Sequence, residues 1–357
     1  MVEVDKSWFE ENREYYLNLP EFVRFQDFSG VDFEDLLDGD RDSVVRAQQS
    51  LAGQSVILHE IRKEHAGYGM PFILYTHDLS FGDHLPWHNE ELDRIIFAED
   101  LSDSLRRRHI ALSHALLPAQ VRGLYRQFGD RISILNLGSG VGLDIINTLF
   151  QAREGVEKVF NLDVNQVALD CGRRLAASLV SENLLPADVV EYRRQSLMRC
   201  REQGHLAIMV GVICGLKDDA ALTVLRRVHA MLHDGGRLVI TSSNEKMRSH
   251  SPLSSFLIQH IGSSSDPFCS WGLNYRSREG MQELLEKAGF RDVCLYDDHH
   301  YPGRDTLPDS LAWGVDSLPS RFLGHAHSGL PLALPPDEVR DRREGYNWLA
   351  VAEKSAG

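Results

Sequence analysis

Between residues 134 and 150 the chain reads ILNLGSGVGLDIINTLF. Ile134, Leu135 and Leu137 have the apolar run of a buried strand end. Gly138, Gly140 and Gly142 then space a turn. From Gly142 onward, Leu143, Ile146, Leu149 and Phe150 recur at helical spacing and define one helix face. A strand, a glycine turn and an immediate helix make a ligand-binding element. The glycines let backbone approach a ligand closely, and the helix N-terminus offers unpaired N–H groups.

The spacing narrows the ligand. A dinucleotide site has G-x-G-x-x-G, which would need glycine at the position of Leu143; the sequence has G-x-G-x-G instead. Residues 159–162 (VFNL) read as a second strand ending at Asp163, with a helix from about Gln166 carrying Val167, Leu169, Cys171, Leu175 and Leu179. A carboxylate at that strand tip can accept hydrogen bonds from both hydroxyls of a ribose; it can equally cap the following helix. This constellation resembles the class I S-adenosylmethionine (SAM) dependent methyltransferases, with the G-x-G-x-G turn as their first motif. The resemblance implies SAM as cofactor and Asp163 as its ribose ligand.

Later elements keep the same order. Residues 189–192 read as a third strand and 205–212 as a fourth, whose apolar run suits burial on both faces. A helix over 218–232 leads through Asp234-Gly235-Gly236 into a fifth strand, 237–241. Ser277 is an N-cap for a helix over 278–288 that Gly289 ends. Strands at 290–296 and 346–351 follow, the last expected to run antiparallel. The resemblance covers about residues 130–297 and 346–354. It implies an α/β fold, a doubly wound seven-stranded, mostly parallel sheet, with a mainly helical N-terminal extension and lid insertions. It assigns cofactor contacts to Asn136, Leu137, Gly138, Ser139, Gly140, Gly142, Asp163, Val164, Ser196, Leu197 and Gly211. Three positions depart from the pattern: Asn136, Ser196 and His205 stand where the family often has acids.

Residues 1–129 are expected to form a cap or dimerisation region, and 130–357 the SAM-binding domain with insertions at 243–276 and 298–345. In the first part, a helix is expected over 44–58 with Gly53 near its end. Residues 57–61 and 72–75 fit either strand or helix. Helices are expected over 90–99, 102–117 and 119–128, with Pro118 as a break. Both insertions leave the sheet at the carboxyl ends of its strands, where doubly wound sheets bind ligands.

Composition bounds the partners. The 357 residues are 43% hydrophobic with a net charge of −14, which disfavours nucleic acid because phosphate binding needs a basic stripe. Five scattered cysteines without C-x-x-C suggest reduced thiols. No apolar leader and no run long enough to span a bilayer are seen. The expectation is a cytoplasmic enzyme, possible as a homodimer, acting on a small molecule without nucleic acid or membrane.

Methyl transfer needs in-line positioning and often a base. His250, Tyr275, His299 and His300 are the candidate catalytic groups, drawn from a wider set with His260 and Tyr301; any of these can also be an ordinary surface or core residue. Asp297, Asp298, His299 and His300, with His325 and His327, offer metal-ligand chemistry, but a solvated turn explains them more simply and no metal is expected. Methylation at O, N or C is the first reading. Transfer of the aminocarboxypropyl chain or cyclisation, either releasing 5′-methylthioadenosine, is the second, and a non-catalytic binding protein of degenerate fold the third.

Overall fold

The computed structural model describes residues 13–14, 17–18, 20–38, 40–62, 69–76, 87–129, 131–247, 273–307 and 345–355. The chain divides into two compact units, one of residues 1–103, 246–273 and 328–333, the other of 104–245, 274–327 and 334–357. Among the described residues no helix is long and apolar enough to cross a membrane.

The first unit is helical: α1 (Pro20–Ser29), α2 (Phe33–Leu37), α3 (Arg41–Ala52), α4 (Val56–Arg62), α5 (Gly69–Thr76) and α6 (Glu90–Ala98). The two stretches that fitted either strand or helix, 57–61 and 72–75, are helical. The single helix expected over 44–58 is two, because α3 ends at Gly53 and α4 restarts on a side-chain anchor. That anchor is Asp93, fully buried, whose carboxylate accepts from Ser55 Oγ at 2.5 Å and from the N–H groups of Val56 and Ile57. His88 Nε2 lies 2.7 Å from its other oxygen. An anion at a helix start meets the free N–H groups there, so its burial is compensated.

The helix α7 (Asp100–Ile110) passes through a π-helical turn (Ala111–Leu116) into α8 (Leu117–Phe128). The expected break at Pro118 is absent, for a physical reason. In the wide turn Leu117 N–H donates to Leu112 O, five residues back. Pro118 would owe the next such bond, to Ser113 O, but it has no N–H. Ser113 O instead accepts from Gln151 Nε2 at 3.2 Å and from Thr148 Oγ1 at 3.5 Å. The chain runs on because side chains of a neighbouring helix supply the missing donors.

The second unit is a seven-stranded sheet: β1 (Ile132–Leu137), β2 (Val156–Asp163), β3 (Val190–Arg194), β4 (Gly204–Met209), β5 (Leu232–Ser243), β6 (Arg291–Asp297) and β7 (Asn347–Glu353). Between them lie α9 (Leu143–Gln151), α10 (Gln166–Ser181), α11 (Asp218–Met231) and α12 (Arg278–Lys287). The strand order is β3-β2-β1-β4-β5-β7-β6. Only β7 runs antiparallel to its neighbours. This is the class I methyltransferase-like α/β fold. The core packs Leu135, Leu137, Ala207, Met209, Leu238 and Ile240 against Leu225, Val228 and Leu285. The fourth strand stops at Met209 rather than 212, since Gly211 takes φ +69° and turns the chain. The greater parts of both insertions, 248–272 and 308–344, lie outside the described residues, so the lid expected of them does too.

Candidate functional site

The glycine turn after β1 is built as its spacing requires. Gly138, Gly140 and Gly142 all adopt left-handed backbone, at φ +66°, +52° and +82°, where a Cβ is strained. At Gly138 a Cβ would also lie 2.5 Å from Val212 Cγ2, in the turn after β4. The N–H groups of Gly138 and Ser139 both donate to Leu162 O, fastening the turn to the end of β2. Leu137, the last residue of β1, is fully buried beneath it.

Asp163 completes the tie. Its Oδ2 accepts from Gly140 N–H at 2.7 Å and its Oδ1 from Asn165 N–H at 2.8 Å. The cap of α10 is Asn165, which accepts from Val167 and Ala168. Asp163 is therefore not the helix cap. It fixes the glycine turn to the strand tip, and each carboxylate oxygen keeps a lone-pair direction for a further donor. Beside it Val164 is 48% exposed, and Met198, after β3, is 44% exposed. Ser196 accepts from Met198 N–H at 3.4 Å and starts the short 3-10 turn Leu197–Arg199; Leu197 is partly buried against the core. Gly211 donates its N–H to Thr241 Oγ1.

The three departures from the acid pattern separate in space. Asn136 is buried and donates from Nδ2 to Asn161 Oδ1 at 2.7 Å, its register partner on β2. Asn161 Nδ2 is a buried donor with no partner among the described residues, and a Cβ on Gly142 would lie 3.0 Å from Asn161 Oδ1. His205 sits at the start of β4, at the amino ends of the strands, whereas the glycine turn follows the carboxyl end of β1. It accepts from Ser133 N–H and packs against Phe128 and His233, and burial first, then His233, pulls its pKa down. It is a packing residue, so its replacement of an acid has no bearing on the site.

The last turn of α7 was not singled out from sequence, yet it supplies side chains to several strand ends. Arg108 Nη1 reaches Asn347 Oδ1 at 3.5 Å, and its guanidinium lies 3.8–3.9 Å from where a Cβ on Gly211 would stand. His109 Nδ1 is 2.7 Å from Asp144 Oδ1, in the first turn of α9, and its Nε2 is 3.0 Å from Asn147 Nδ2. Arg107 Nη1 lies 2.5 Å from His299 Nδ1. Asp298, buried, accepts from Ser104 Oγ at 2.6 Å and from Asn347 N–H at 2.8 Å. Burial pushes its carboxyl up to about 6 against the pull of these bonds and of Arg107. No local sequence signal marks Arg107, Arg108 or Asn347, because the contacts that join them to the site, Arg107 to His299 and Arg108 to Asn347, span 192 and 239 residues.

The candidate catalytic residues are not brought to one point. His299 is buried after β6, and its pKa falls to about 4 through burial and the cations Arg107 and Arg304. A ring held so firmly neutral is a weak base at neutral pH. His300 is exposed and spends Nδ1 on Asp297. Tyr301 has its hydroxyl pushed up to about 12 by burial. Tyr275 is half-buried between Asn274, which donates to Cys214 O, and Arg276. His250 and His260 lie outside the described residues, as do His325 and His327. Asp298 turns inward while Asp297 holds His300, so their carboxylates diverge; no group of three or more metal-ligating side chains forms among the described residues. Arg276, unremarked in the sequence, is buried and donates to Ile213 O, Leu216 O and Ser242 Oγ while pairing with Asp218. It pins the segment after β4.

These residues fit a SAM-sized nucleoside cofactor. The cradle is lined by glycines whose Cβ positions are strained or occupied. A half-buried carboxylate stands at the neighbouring strand tip, followed by the exposed Val164, and the turn after β3 carries the exposed Met198.

Residues 103–300, just over half of the chain, match the model of a family described as "Putative methyltransferase". Among solved structures the chain is similar to a "possible exported protein" of Bordetella parapertussis, 18% identical, covering 98% of this chain and 95% of that one, with a TM-score of 0.52. An S-adenosylmethionine dependent methyltransferase from Mesorhizobium loti is 17% identical over 66% of this chain and 96% of that one, at a TM-score of 0.42. Human N-acetylserotonin methyltransferase, solved with SAM, is 11% identical over 90% of this chain and 70% of that one, at 0.41. The first likeness bears on the fold alone, and the other two are too loose to carry weight. No curated protein matches the sequence.

Proposed function

The chain belongs to this methyltransferase family, within the class I SAM-dependent superfamily, and from that premise we propose that it binds SAM and methylates a small-molecule acceptor. The observation that carries the reading is the bond from Gly140 N–H to Asp163. It holds the glycine turn and the strand-tip carboxylate in one rigid cradle.

SAM supplies an electrophilic methyl group on a sulfonium sulfur. Gly138, Ser139, Gly140 and Gly142 would leave backbone open to the amino acid part of the cofactor. Asp163 would accept from the ribose hydroxyls, and Val164, Met198 and Leu197 would give apolar contact to the adenine, with Ser196 at its edge. Asn136 and Gly211 would border the methionine end. The acceptor would approach at the carboxyl ends of the strands, where position and alignment supply most of the rate.

A small acceptor suits the net charge of −14, which opposes binding of a polyanion. Cys171, Cys200, Cys214 and Cys294 are free thiols; a reducing cytoplasm is proposed on that ground. One observation favours a second reading. Asn136, paired with Asn161, stands uncharged where the family often has an acid, which would suit a reaction that breaks a different bond to sulfur.

Calorimetric titration with SAM and then S-adenosylhomocysteine tests the proposal. Micromolar binding of both is expected. Binding of neither would sink it. If SAM binds and 5′-methylthioadenosine accumulates on turnover, the second reading replaces the first.

A further inference from the structure

An open cavity of about 780 Å³ lies in the helical first unit, between the end of α3 with the loop after it and residues 87–91 at the start of α6. Its size is that of a small-molecule site, about 300–1,000 Å³. The two walls are tied to each other: Asn89 N–H donates to Gln54 O at 2.8 Å, and Gln54 Nε2 donates to Phe28 O at 2.8 Å. His88 is held by Asp93, fully buried, whose carboxylate already accepts from Ser55 Oγ and two backbone N–H groups. His88 therefore donates to it from Nε2, at 2.7 Å, and keeps Nδ1 unspent. In the same wall stands Trp87, at 76% the most exposed large apolar side chain among the described residues.

The lining selects a ligand class. Among the described residues no lysine or arginine lines the cavity, which disfavours a phosphate or carboxylate. Its two carboxylates are already paired at the surface, Glu90 with Arg94 at 3.3 Å and Glu91 with Arg24 at 3.5 Å, so their pull on a cation is reduced. What remains is neutral and mixed. The Gln49 amide, Asn89 Nδ2, His88 Nδ1 and the Trp87 indole N–H have no partner among the described residues, and together they offer both donors and acceptors. A hydroxyl donates and accepts at once, so a hydroxyl-rich ligand uses both kinds, whereas a cation would leave the donors idle. A pyranose also presents a face of C–H groups, which packs on an indole ring and removes its apolar surface from water.

We propose that this cavity is a sugar-binding site, with one pyranose face stacked on Trp87 and the hydroxyls bonded by Gln49, His88 and Asn89. The inference stands apart from the methyltransferase reading above.

The test is the indole 15N–1H spectrum of the full chain, titrated with glucose, galactose, mannose, maltose and cellobiose, and separately with tetramethylammonium and inorganic phosphate. The Trp87 signal, identified by its absence from Trp87→Ala, should shift saturably with at least one sugar at millimolar concentration or below, and less with the two ions. Equilibrium dialysis with that sugar, labelled, should then find Trp87→Phe within about threefold of the native affinity and Trp87→Ala weakened about tenfold or more. Gln49→Ala should weaken it about threefold or more. Trp87 and Gln49 are exposed, so the urea midpoints of these variants should stay at the native value, which separates lost binding from lost folding. No saturable shift with any of the sugars would overturn the inference. So would a response to tetramethylammonium or phosphate as strong as to any sugar, or sugar binding that Trp87→Ala leaves unchanged.

Discussion

The carboxylate of Asp163 accepts a hydrogen bond from the backbone N–H of Gly140 across 2.7 Å, joining the tip of β2 to the turn after β1. One side chain thus serves two purposes: it shapes the cradle, and it offers the acceptor oxygens that a ribose would use. Asp163→Ala should weaken SAM binding by roughly 1–3 kcal/mol, the cost of leaving polar groups unpaired. It should also lower stability, since Gly140 and Asn165 lose an acceptor. Calorimetry and urea unfolding on the same variant separate the two effects. Unchanged affinity would remove Asp163 from the site.

Gly138 faces Val212 so closely that any side chain must displace it. Gly138→Ala is expected to cost about 1–3 kcal/mol, part from φ +66° and part from the contact. Val212→Ala in the same chain should restore only the contact part. A double-mutant cycle by chemical denaturation should give a coupling of at least about 0.5 kcal/mol. Strict additivity would mean that the turn adjusts freely.

Asp298 and His299 make opposite demands on pH. Asp298 holds its proton up to about 6 against an ordinary 3.8. Between those values the native state carries the proton and the unfolded chain does not, so this group's contribution to stability falls as pH rises. His299 titrates near 4 against 6.5. Between those values only the unfolded chain is protonated, so its contribution rises with pH. The two slopes oppose each other from about pH 4 to 6. Asp298→Asn should therefore steepen the gain of stability with pH in that window, and His299→Gln should reverse it. Parallel pH profiles of the unfolding midpoint for all three proteins would contradict the assignment.

Pro118 and Gln151 are coupled through Ser113 O. Gln151→Met should cost about 1 kcal/mol in the native chain, by leaving that carbonyl with only the long Thr148 contact. In a Pro118→Ala background the cost should shrink, because residue 118 then has an N–H to give. Thermal or urea unfolding of the four chains decides it. An equal cost in both backgrounds would mean that the π turn does not direct residue 118 to Ser113.

The candidate site was legible where its parts are close in sequence. Three glycines within five residues, between an apolar run and a helical period, leave few structures available, and Asp163 follows after one helix and one strand. The mostly parallel seven-stranded sheet with an antiparallel last strand followed from the resemblance that the succession of elements carries; the order of its strands came from the structure. What sequence reasoning misplaced depends on distant partners. Pro118 reads as a helix breaker because its missing donor is visible and the replacement donors on α9 are not. His205 reads as a substituted site acid, although it lies at the amino end of the central strand β4, away from the glycine turn at the carboxyl end of β1.

By itself the sequence determined the glycine turn and the succession of strands and helices, because left-handed backbone and residue periodicity are local properties of the chain; the doubly wound sheet came from the family that this succession resembles. Only the tertiary structure decided how α7 serves the strand ends. Arg107, Arg108 and His109 meet His299, Asn347 and Asp144 through space, and nothing in their own spacing announces it. It also decided the state of His299. The same imidazole is a base in water and is held neutral beside Arg107, since burial and neighbouring cations lower its pKa.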